Sequence, residues 1–276
     1  LTFDNVTLAP SPDWLKKRIS AIGLRPINNI VDITNFILHE TGHPLHAFDY
    51  DKIAGHEVIV RRAKDGERFT TLDGVERELT ADDLMICDAE KPMTLAGIFG
   101  GAESGITSST KRVFLESAYF NPVSIRKSSK RHQIKTDASF RYERGADPEM
   151  VPYAIKRAAI LFQELAGATV AGDIIDIYPE KIDRAVVEID FERVERLIGK
   201  RIGRESILNI LEYLEYDILK SDNTGASLSV PCYRVDVTRE CDIVEDVLRI
   251  YGYNNVEIPE RMVASITPGR KPDPES

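Results

Sequence analysis

Short stretches of the chain alternate apolar and polar residues or carry β-branched runs, which is the pattern of β-strands. The stretches predicted as strands are residues 58–62, 69–72 and 112–120. An Asp73-Gly74 pair follows the second of them, and it predicts a hairpin turn because glycine adopts positive φ without strain. Residues 20–40 are rich in Ile, Val and Asn, and their periodicity favours neither a helix nor a strand.

A helical period becomes clear near residue 150. Asp147 and Pro148 are residue types preferred at a helix N-cap and first position, apolar residues recur with helical spacing through Leu165, and Gly167 marks the end. Beyond residue 190 the pattern predicts three short helices and a small β element. The predicted helices are residues 191–198, 205–214 and 238–251, and the predicted strand is residues 228–231.

Together these patterns predict an α+β protein with two domains. A domain of mixed helices and strands at residues 1–181 precedes a small helical domain at residues 182–260, and the Pro-rich residues 261–276 are predicted to form a linker. A length of 276 residues with 42% hydrophobic and 29% charged residues agrees with a globular protein of that organisation.

The composition also indicates the cellular compartment in which the protein is found. No window approaches the roughly 18 apolar residues of a membrane span, and the first residues lack the basic start and apolar core of a signal peptide. Three cysteines without a CxxC spacing favour a reducing compartment, so we expect a cytoplasmic protein. Because the sequence does not begin with Met, we expect it to be a segment of a longer protein.

The net charge of −9 argues against a protein that coats nucleic acid, but one stretch has the opposite sign. Residues 126–144 hold seven basic and two acidic side chains, a net charge of +5, with Ser and Thr hydroxyls interleaved. Fixed positive charge combined with short hydrogen-bonding groups suits phosphate recognition. The alternative is a solvated loop with scattered ion pairs, which charge alone favours.

Residues 92–101 place three glycines among apolar residues. Glycine there permits tight turns and a close approach by another backbone or by a ligand. No Gly-Lys-Ser/Thr sequence follows, so the stretch is not a P-loop and gives no support for ATP binding. Considered by itself, it favours a cluster of packing glycines.

Glu116 lies within an apolar strand pattern. Alternation places it on one face with Phe114 and Ala118. A lone carboxylate on an apolar face is costly unless it is paired or hydrogen-bonded. Glu116 therefore either meets a basic partner, which is the favoured reading of the pattern alone, or accepts a polar group from a ligand.

Three histidines, His39, His43 and His46, follow a spacing that invites a metal-site interpretation. Pro44 interrupts any helix through them, so they need not share a face, and metal binding is disfavoured. A histidine that hydrogen-bonds a substrate or orients a water molecule fits the sequence better.

Carboxylates also cluster near residue 240. Asp242, Glu245 and Asp246 share one face of the predicted helix, and Asp236 lies just before it. Grouped carboxylates suit a hard divalent cation. A solvated helix face is the alternative, and the spacing alone favours it.

Several longer motifs, in order along the chain, resemble the bacterial phenylalanyl-tRNA synthetase β-subunit family. The resemblance extends from about Pro12 to Pro259. The motifs of the first domain are residues 28–35, 43–49, 95–101, 114–120 and 135–145, and those of the second are residues 231–236, 242–246 and 249–253.

This resemblance implies both a fold and a function. The first domain resembles the B3/B4 editing domain, an α+β unit of mixed sheets, and the second resembles the B5 domain, a small winged-helix-like unit. The family's enzyme is an (αβ)₂ tetramer whose α subunit uses ATP to join phenylalanine to tRNA(Phe). Its B3/B4 site hydrolyses tyrosine that was attached by mistake, which implies tRNA binding and a role in protein biosynthesis. The alternative is a tRNA-binding or structural module without hydrolytic activity of its own.

Residue roles follow from the same resemblance. Glu116 matches the acceptor for the tyrosyl hydroxyl, while Ala96 and Gly97 match positions that leave room for the amino acid. His46, Thr34 and Asn35 match residues near the ester and are candidates in a water-mediated hydrolysis. Thr136 and Ala138 match further wall residues. The basic residues expected to hold phosphates of the tRNA end are Arg126, Lys127, Lys130, Arg131 and Lys135.

For the second domain, the resemblance implies a Mg²⁺ site shared with the α subunit. The four matching positions are Asp236, Asp242, Glu245 and Asp246. The last is usually Glu in the family, so Asp246 is one methylene shorter. A winged-helix shape also suggests DNA binding as a function. Residues 181–276 carry 14 basic and 19 acidic side chains, and this negative charge argues against DNA binding.

Overall fold

The computed structural model describes residues 1–257, which form two units that divide after Asp183. The strands are β1 Thr2–Asp4, β2 Leu45–Asp49, β3 Ile59–Arg62, β4 Arg68–Thr70, β5 Glu76–Glu78, β6 Leu84–Cys87, β7 Pro92–Leu95, β8 Phe99–Gly100, β9 Val113–Ser117, β10 Thr169–Val170, β11 Val186–Asp190, β12 Asp217–Ser221 and β13 Gly225–Ser229. The α-helices are α1 Asp13–Ala21, α2 Asn29–Thr41, α3 Pro122–His132, α4 Asp137–Tyr142, α5 Val151–Ala166, α6 Phe191–Ile198, α7 Arg204–Tyr213 and α8 Glu240–Tyr251. Within residues 1–257, no helix has both the length and the apolar character needed to cross a bilayer.

The first sheet organises the first unit, with strands in the order β10-β1-β9-β2. One face of β9 carries Val113 and Leu115, which are fully buried in a core formed with helices α2 and α5. The other face carries Phe114, Glu116 and Ala118 and is directed towards a second core. The sheet therefore separates a filled hydrophobic core from the side on which Glu116 lies.

The second core packs beneath a sheet with the order β3-β6-β7-β8. A short hairpin, β4-β5, turns at Gly74 with a φ of +77°, which confirms the turn predicted at Asp73-Gly74. The α+β class is confirmed, but every strand pairing among residues 1–257 is antiparallel. The prediction of mixed sheets was wrong because alternation along a strand carries no information about the direction of its neighbours.

The predicted basic loop at residues 126–144 is wrong, because the segment forms helices α3 and α4. Asn121 caps α3 by accepting from two backbone amides, and Pro122 occupies its first turn. Thr136 begins α4 in a capping box with Ser139. Asn121 precedes the charged stretch and Thr136 lies within it, and the charge pattern obscured both caps.

Helix prediction succeeded where caps and period agreed. Helix α5 ends at Gly167 in the left-handed region, as predicted, and Asp147 caps a 3₁₀ turn, Pro148–Met150, that leads into it. Residues 20–40, which the pattern left open, contain the end of α1 and most of α2.

The second unit combines helices α6, α7 and α8 with an antiparallel sheet in the order β11-β13-β12. Its three helices were predicted to within two residues at each end. Strands β11 and β12 were not predicted, although Val187 and Ile189 alternate with exposed residues in β11. The predicted linker at residues 261–276 lies outside the described residues.

Candidate functional site

His46 and Glu116 form the centre of the candidate site. They face each other directly in the antiparallel pairing of β2 with β9, so their side chains share one face of the sheet. The tip atoms His46 Nε2 and Glu116 Oε2 are buried, and neither has a hydrogen-bond partner in the described part of the chain. An unpartnered pair of this kind is costly to the fold unless a ligand or water completes it.

The same face of β9 is incompletely filled. Phe114, Glu116 and Ala118 are each half-buried, whereas Val113 and Leu115 on the opposite face are fully buried. Glu116 and His46 are thus accessible along part of their length while their polar tips are shielded. This arrangement indicates a concave site with its hydrogen-bonding groups at the bottom.

Burial makes both groups neutral near pH 7. Loss of solvation raises the pKa of Glu116 to about 8 and lowers the pKa of His46 to about 4. Burial, together with the nearby Glu116 carboxylate, also raises the pKa of the Tyr142 hydroxyl. A neutral carboxyl and a neutral imidazole can each donate or accept a hydrogen bond, which suits a neutral polar ligand better than a charged one.

The glycine-rich loop forms one wall. Gly97 has a φ of +66°, and a Cβ added there would lie 2.7 Å from Phe120 Cδ2. A Cβ on Gly100 would lie 3.1 Å from His46 Cε1. Gly97 therefore allows the loop to pack against its aromatic neighbours, and Gly100 allows Leu72 and His46 to approach the backbone of β8 closely. Ala96, just before Gly97, is buried in the second core.

Helix α4 forms the adjoining wall. The Thr136 hydroxyl donates to the Ile98 carbonyl at 2.9 Å, which ties the start of the helix to the glycine-rich loop. At the end of the helix, the Tyr142 hydroxyl lies 3.2 Å from the Pro44 carbonyl and 3.1 Å from the Ala118 carbonyl. Ala138 packs against the second core between these two anchors. The helix is thereby fixed to both strands of the site.

Thr34 and Asn35 lie on helix α2, whose residues Ile33 and Ile37 pack into the first core. Thr34 donates its hydroxyl proton to the Val31 carbonyl at 2.8 Å, which leaves its oxygen available only as an acceptor. Asn35 is half-buried beside it. No hydrogen bond within residues 1–257 joins either residue to His46 or Glu116, so the placement of Thr34 and Asn35 beside a bound ester stays a prediction.

The sequence analysis missed three residues of this region, Thr94, Gly100 and Tyr142, and it considered His43 only as one of three histidines without giving it a place in the site. His43 is buried with both ring nitrogens unpartnered among the described residues, and its ring packs edge-on against Tyr142 at 6.3 Å. Burial lowers the pKa of His43 to about 4. Gly100 lies within the glycine-rich run, so the sequence held a signal for it, whereas nothing local distinguished Thr94 or Tyr142.

The basic residues divide into two groups. Arg131 is anchored by ion pairs to Asp82 and Asp83, and the fully buried Asp83 also accepts from the Ser128 hydroxyl. The other four predicted phosphate-binding residues are exposed and form no salt bridge within residues 1–257: Arg126, Lys127, Lys130 and Lys135. Arg131 thus holds α3 in place, while four cations remain available to a ligand.

Three of the four predicted metal-binding carboxylates, Asp236, Asp242 and Asp246, are engaged in other interactions, and Glu245 is exposed. The Arg234 guanidinium lies between Asp236 and Asp246, and the Tyr216 hydroxyl donates to Asp246 at 2.5 Å. Asp242 accepts from two backbone amides at the start of α8. In the part of the chain that the structure describes, no three His, Cys, Asp or Glu side chains are grouped to hold a metal ion. The four carboxylates therefore do not fit Mg²⁺ in this arrangement.

Two family models match the chain. The B3/4 domain model matches residues 1–167, and the tRNA synthetase B5 domain model matches residues 187–253. Phenylalanine–tRNA ligase β subunits from Bacteroides fragilis, Porphyromonas gingivalis and Geobacter metallireducens are 52%, 49% and 47% identical over 97%, 96% and 96% of the chain. The matched regions are 33%, 32% and 33% of those proteins, so the chain spans about a third of the length of these curated relatives.

A solved structure is also similar. It is an N-terminal fragment of the phenylalanyl-tRNA synthetase β subunit from Pyrococcus horikoshii, and it matches 91% of this chain and 70% of that chain. The sequence identity is 19% and the TM-score is 0.42.

Proposed function

This chain belongs to the B3/4 domain family and continues into a tRNA synthetase B5 domain, and from that membership we propose that its first unit hydrolyses tyrosine esterified by mistake to tRNA(Phe). The observation that carries the proposal is the unpartnered pair His46 and Glu116 at the bottom of an apolar site. The whole enzyme would be a phenylalanine–tRNA ligase of the cytoplasm, acting in protein biosynthesis.

The pair explains how the site would prefer tyrosine to phenylalanine. A phenolic hydroxyl can complete both polar tips, whereas a phenyl ring would leave two buried groups unpaired. Leaving a buried donor or acceptor unsatisfied costs about 1–3 kcal/mol, so the discrimination acts against the ligand that lacks the hydroxyl. Phe114, which is half-buried, supplies apolar surface for the aromatic ring, and the fully buried Phe48 supports the His46 ring at a centroid distance of 4.5 Å.

The register supports a refined role for His46. The resemblance places it near the ester, but it lies directly opposite Glu116, so we assign both to the hydroxyl end. Thr34 and Asn35 then remain the candidates at the ester, with Thr136 and Ala138 in the wall. Within the described residues no Ser or Cys side chain is hydrogen-bonded to a histidine, which favours a water molecule as the nucleophile. Water would attack the ester carbonyl carbon, and its proton would pass to the departing ribose oxygen.

The exposed cations of helix α3 suit the substrate's phosphates. Arg126, Lys127 and Lys130 lie on the exposed side of the helix, and Lys135 follows it. Flexible cations on a fixed helix are an effective way to hold a backbone without reading its bases. We assign them to the single-stranded end of tRNA(Phe).

The second unit is assigned a structural role in the complete enzyme. Its three helices and antiparallel sheet are compatible with a winged-helix-like fold, and its acidic balance argues against DNA binding. We propose the α subunit as its partner, in an (αβ)₂ tetramer that uses ATP to charge tRNA(Phe). Because Arg234 occupies the carboxylate cluster, binding of Mg²⁺ there would require displacement of its guanidinium.

The test is the release of amino acid from Tyr-tRNA(Phe) and Phe-tRNA(Phe), measured with this chain and with a complete enzyme that contains it. The proposal predicts faster release of tyrosine. Release of neither amino acid by the complete enzyme, with tRNA binding intact, would favour the alternative of a tRNA-binding module without hydrolytic activity. Equal release of both would contradict the assignment of Glu116 and His46.

A further inference from the structure

Thr94 is the exception among the buried threonines in residues 1–257. The other three all donate their hydroxyl protons: Thr34 to the Val31 carbonyl, Thr71 to Asp73 and Thr110 to Asp49. The Thr94 hydroxyl is buried without a partner in the described part of the chain. Valine has the same shape and would avoid the cost of about 1–3 kcal/mol for an unsatisfied buried polar group. The fold alone gives no reason for a hydroxyl at this position.

The register places this hydroxyl at the site. Thr94 on β7 pairs directly with Gly100 on β8, and directly opposed residues of an antiparallel pair project to the same face. The missing side chain of Gly100 would reach to 3.1 Å from His46 Cε1, the ring carbon bonded to the unpartnered Nε2. Thr94 and Gly100 therefore share the face of the sheet that borders the polar edge of His46.

Three of the five unpartnered buried side-chain atoms in residues 1–257 lie on strands β2, β7 and β9, and the other two are the ring nitrogens of His43. A phenolic hydroxyl has one donor and two acceptor positions, so it can engage three partners. Glu116 Oε2, His46 Nε2 and Thr94 Oγ1 are three buried polar atoms without partners within residues 1–257. Apolar side chains adjoin these atoms. Phe114 shares its face of β9 with Glu116, and Ala96, just beyond the end of β7, is buried in the second core.

We propose that Thr94 is a third specificity-determining residue, whose hydroxyl binds the phenolic hydroxyl of the tyrosyl ester together with Glu116 and His46. The inference rests on the proposed editing function and deepens it. It separates two roles that a buried threonine can have: a structural hydroxyl lowers stability when it is removed, whereas a ligand-binding hydroxyl does not.

The experiment compares Thr94→Val with Thr94→Ser and with Thr110→Val as the matched control. Urea unfolding of the chain gives the stability, and release of tyrosine and phenylalanine from tRNA(Phe) gives the selectivity. For Thr94→Val we expect an unchanged or higher unfolding midpoint with a Tyr/Phe release ratio that is lower by about five- to tenfold, the effect of one lost hydrogen bond. Thr94→Ser should restore the ratio. Thr110→Val should lower the midpoint and leave the ratio unchanged.

A binding measurement separates failure of this inference from failure of the proposed function. L-tyrosinamide and L-phenylalaninamide are titrated into the chain and the Thr94→Val variant, which requires no hydrolysis. Loss of the preference for tyrosinamide in the variant supports Thr94 even if the chain releases no amino acid from tRNA. An unchanged preference, no preference in the parent chain, or a midpoint that falls as in Thr110→Val would each overturn the inference.

Discussion

His46 lies directly across from Glu116 in the β2–β9 pairing, and the two groups form a neutral pair rather than an ion pair. Burial moves the pKa of Glu116 up to about 8 and that of His46 down to about 4, so both are uncharged between those values. The two polar tips are thus ready for a neutral hydroxyl without first breaking a salt bridge.

Stability should depend on pH through Glu116. Its pKa is about 8 when folded and about 4.5 when unfolded, so between these values unfolding releases a proton and stability falls as pH rises. Above about pH 7.5, His43 and His46 are almost entirely neutral both folded and unfolded, so they contribute little to this slope. Glu116→Gln should remove the decline between about pH 7.5 and 8.5 in urea-unfolding midpoints. Parallel pH profiles for the two proteins would show that Glu116 is ionised in the folded chain.

Gly97→Ala should be more destabilising than an alanine at another glycine of positive φ. At Gly97 the substitution combines a strained φ of +66° with a Cβ only 2.7 Å from Phe120 Cδ2. Gly66 has a φ of +78° and nothing within 4 Å, so Gly66→Ala introduces backbone strain alone, about 1 kcal/mol. We expect Gly97→Ala to lower the free energy of unfolding by at least about 2 kcal/mol more. Equal losses of unfolding free energy in Gly97→Ala and Gly66→Ala would show that a Cβ at Gly97 does not clash with Phe120.

The basic residues of helix α3 should have two different roles, one in tRNA binding and one in stabilising the fold. Lys130→Ala removes an exposed cation, so it should weaken tRNA binding and reduce the salt dependence of the affinity by about one counterion without changing stability. Arg131→Ala breaks the contact with buried Asp83 and should lower the unfolding midpoint. Binding isotherms at several salt concentrations and urea unfolding check both. An unchanged salt dependence of the tRNA affinity in the Lys130→Ala variant would show that α3 is not part of the tRNA-binding surface.

Arg234 should stabilise the second unit. Asp246 is nearly fully buried and accepts from Arg234 and Tyr216, so Arg234→Met would leave a buried carboxylate without its charged partner. We expect a loss of about 3–5 kcal/mol in the unfolding free energy, against a small effect from Asp236→Asn at the exposed end. Because the carboxylates are already occupied, addition of EDTA should not lower the midpoint of the chain. A clear loss of stability with EDTA would show that a metal ion is bound.

Local signals account for the parts of the fold that the sequence predicted. The Asp73-Gly74 turn, the end of α5 at Gly167 and helix α6 each depend on a few adjacent residues. Helices α3 and α4 were missed because seven basic residues suggested a solvated loop, although Asn121 and Thr136 are good caps. In an amino-acid sequence, a high density of charged residues is found both on exposed helix surfaces and in loops, so it does not distinguish them.

The site depends on pairings that no local pattern contains. Glu116 was identified because a carboxylate interrupts an apolar strand, but its pairing with His46 joins segments 70 residues apart. Thr94 was missed because a threonine in a strand is ordinary in sequence. It is unusual only when its hydroxyl is seen to lack a partner among the described residues. Burial and register, which decide the chemistry here, appear only in three dimensions.

The most direct test of the central claim is the ratio of tyrosine to phenylalanine release from tRNA(Phe) for Glu116→Met. Methionine keeps the length of the side chain and removes its hydrogen bonds, Glu116→Gln keeps a neutral polar tip, and Glu57→Met serves as an exposed control. We predict that Glu116→Met lowers the Tyr/Phe ratio at least about tenfold, that Glu116→Gln retains part of it, and that Glu57→Met leaves it unchanged. An unchanged ratio in a folded Glu116→Met variant would show that Glu116 does not recognise the tyrosyl hydroxyl.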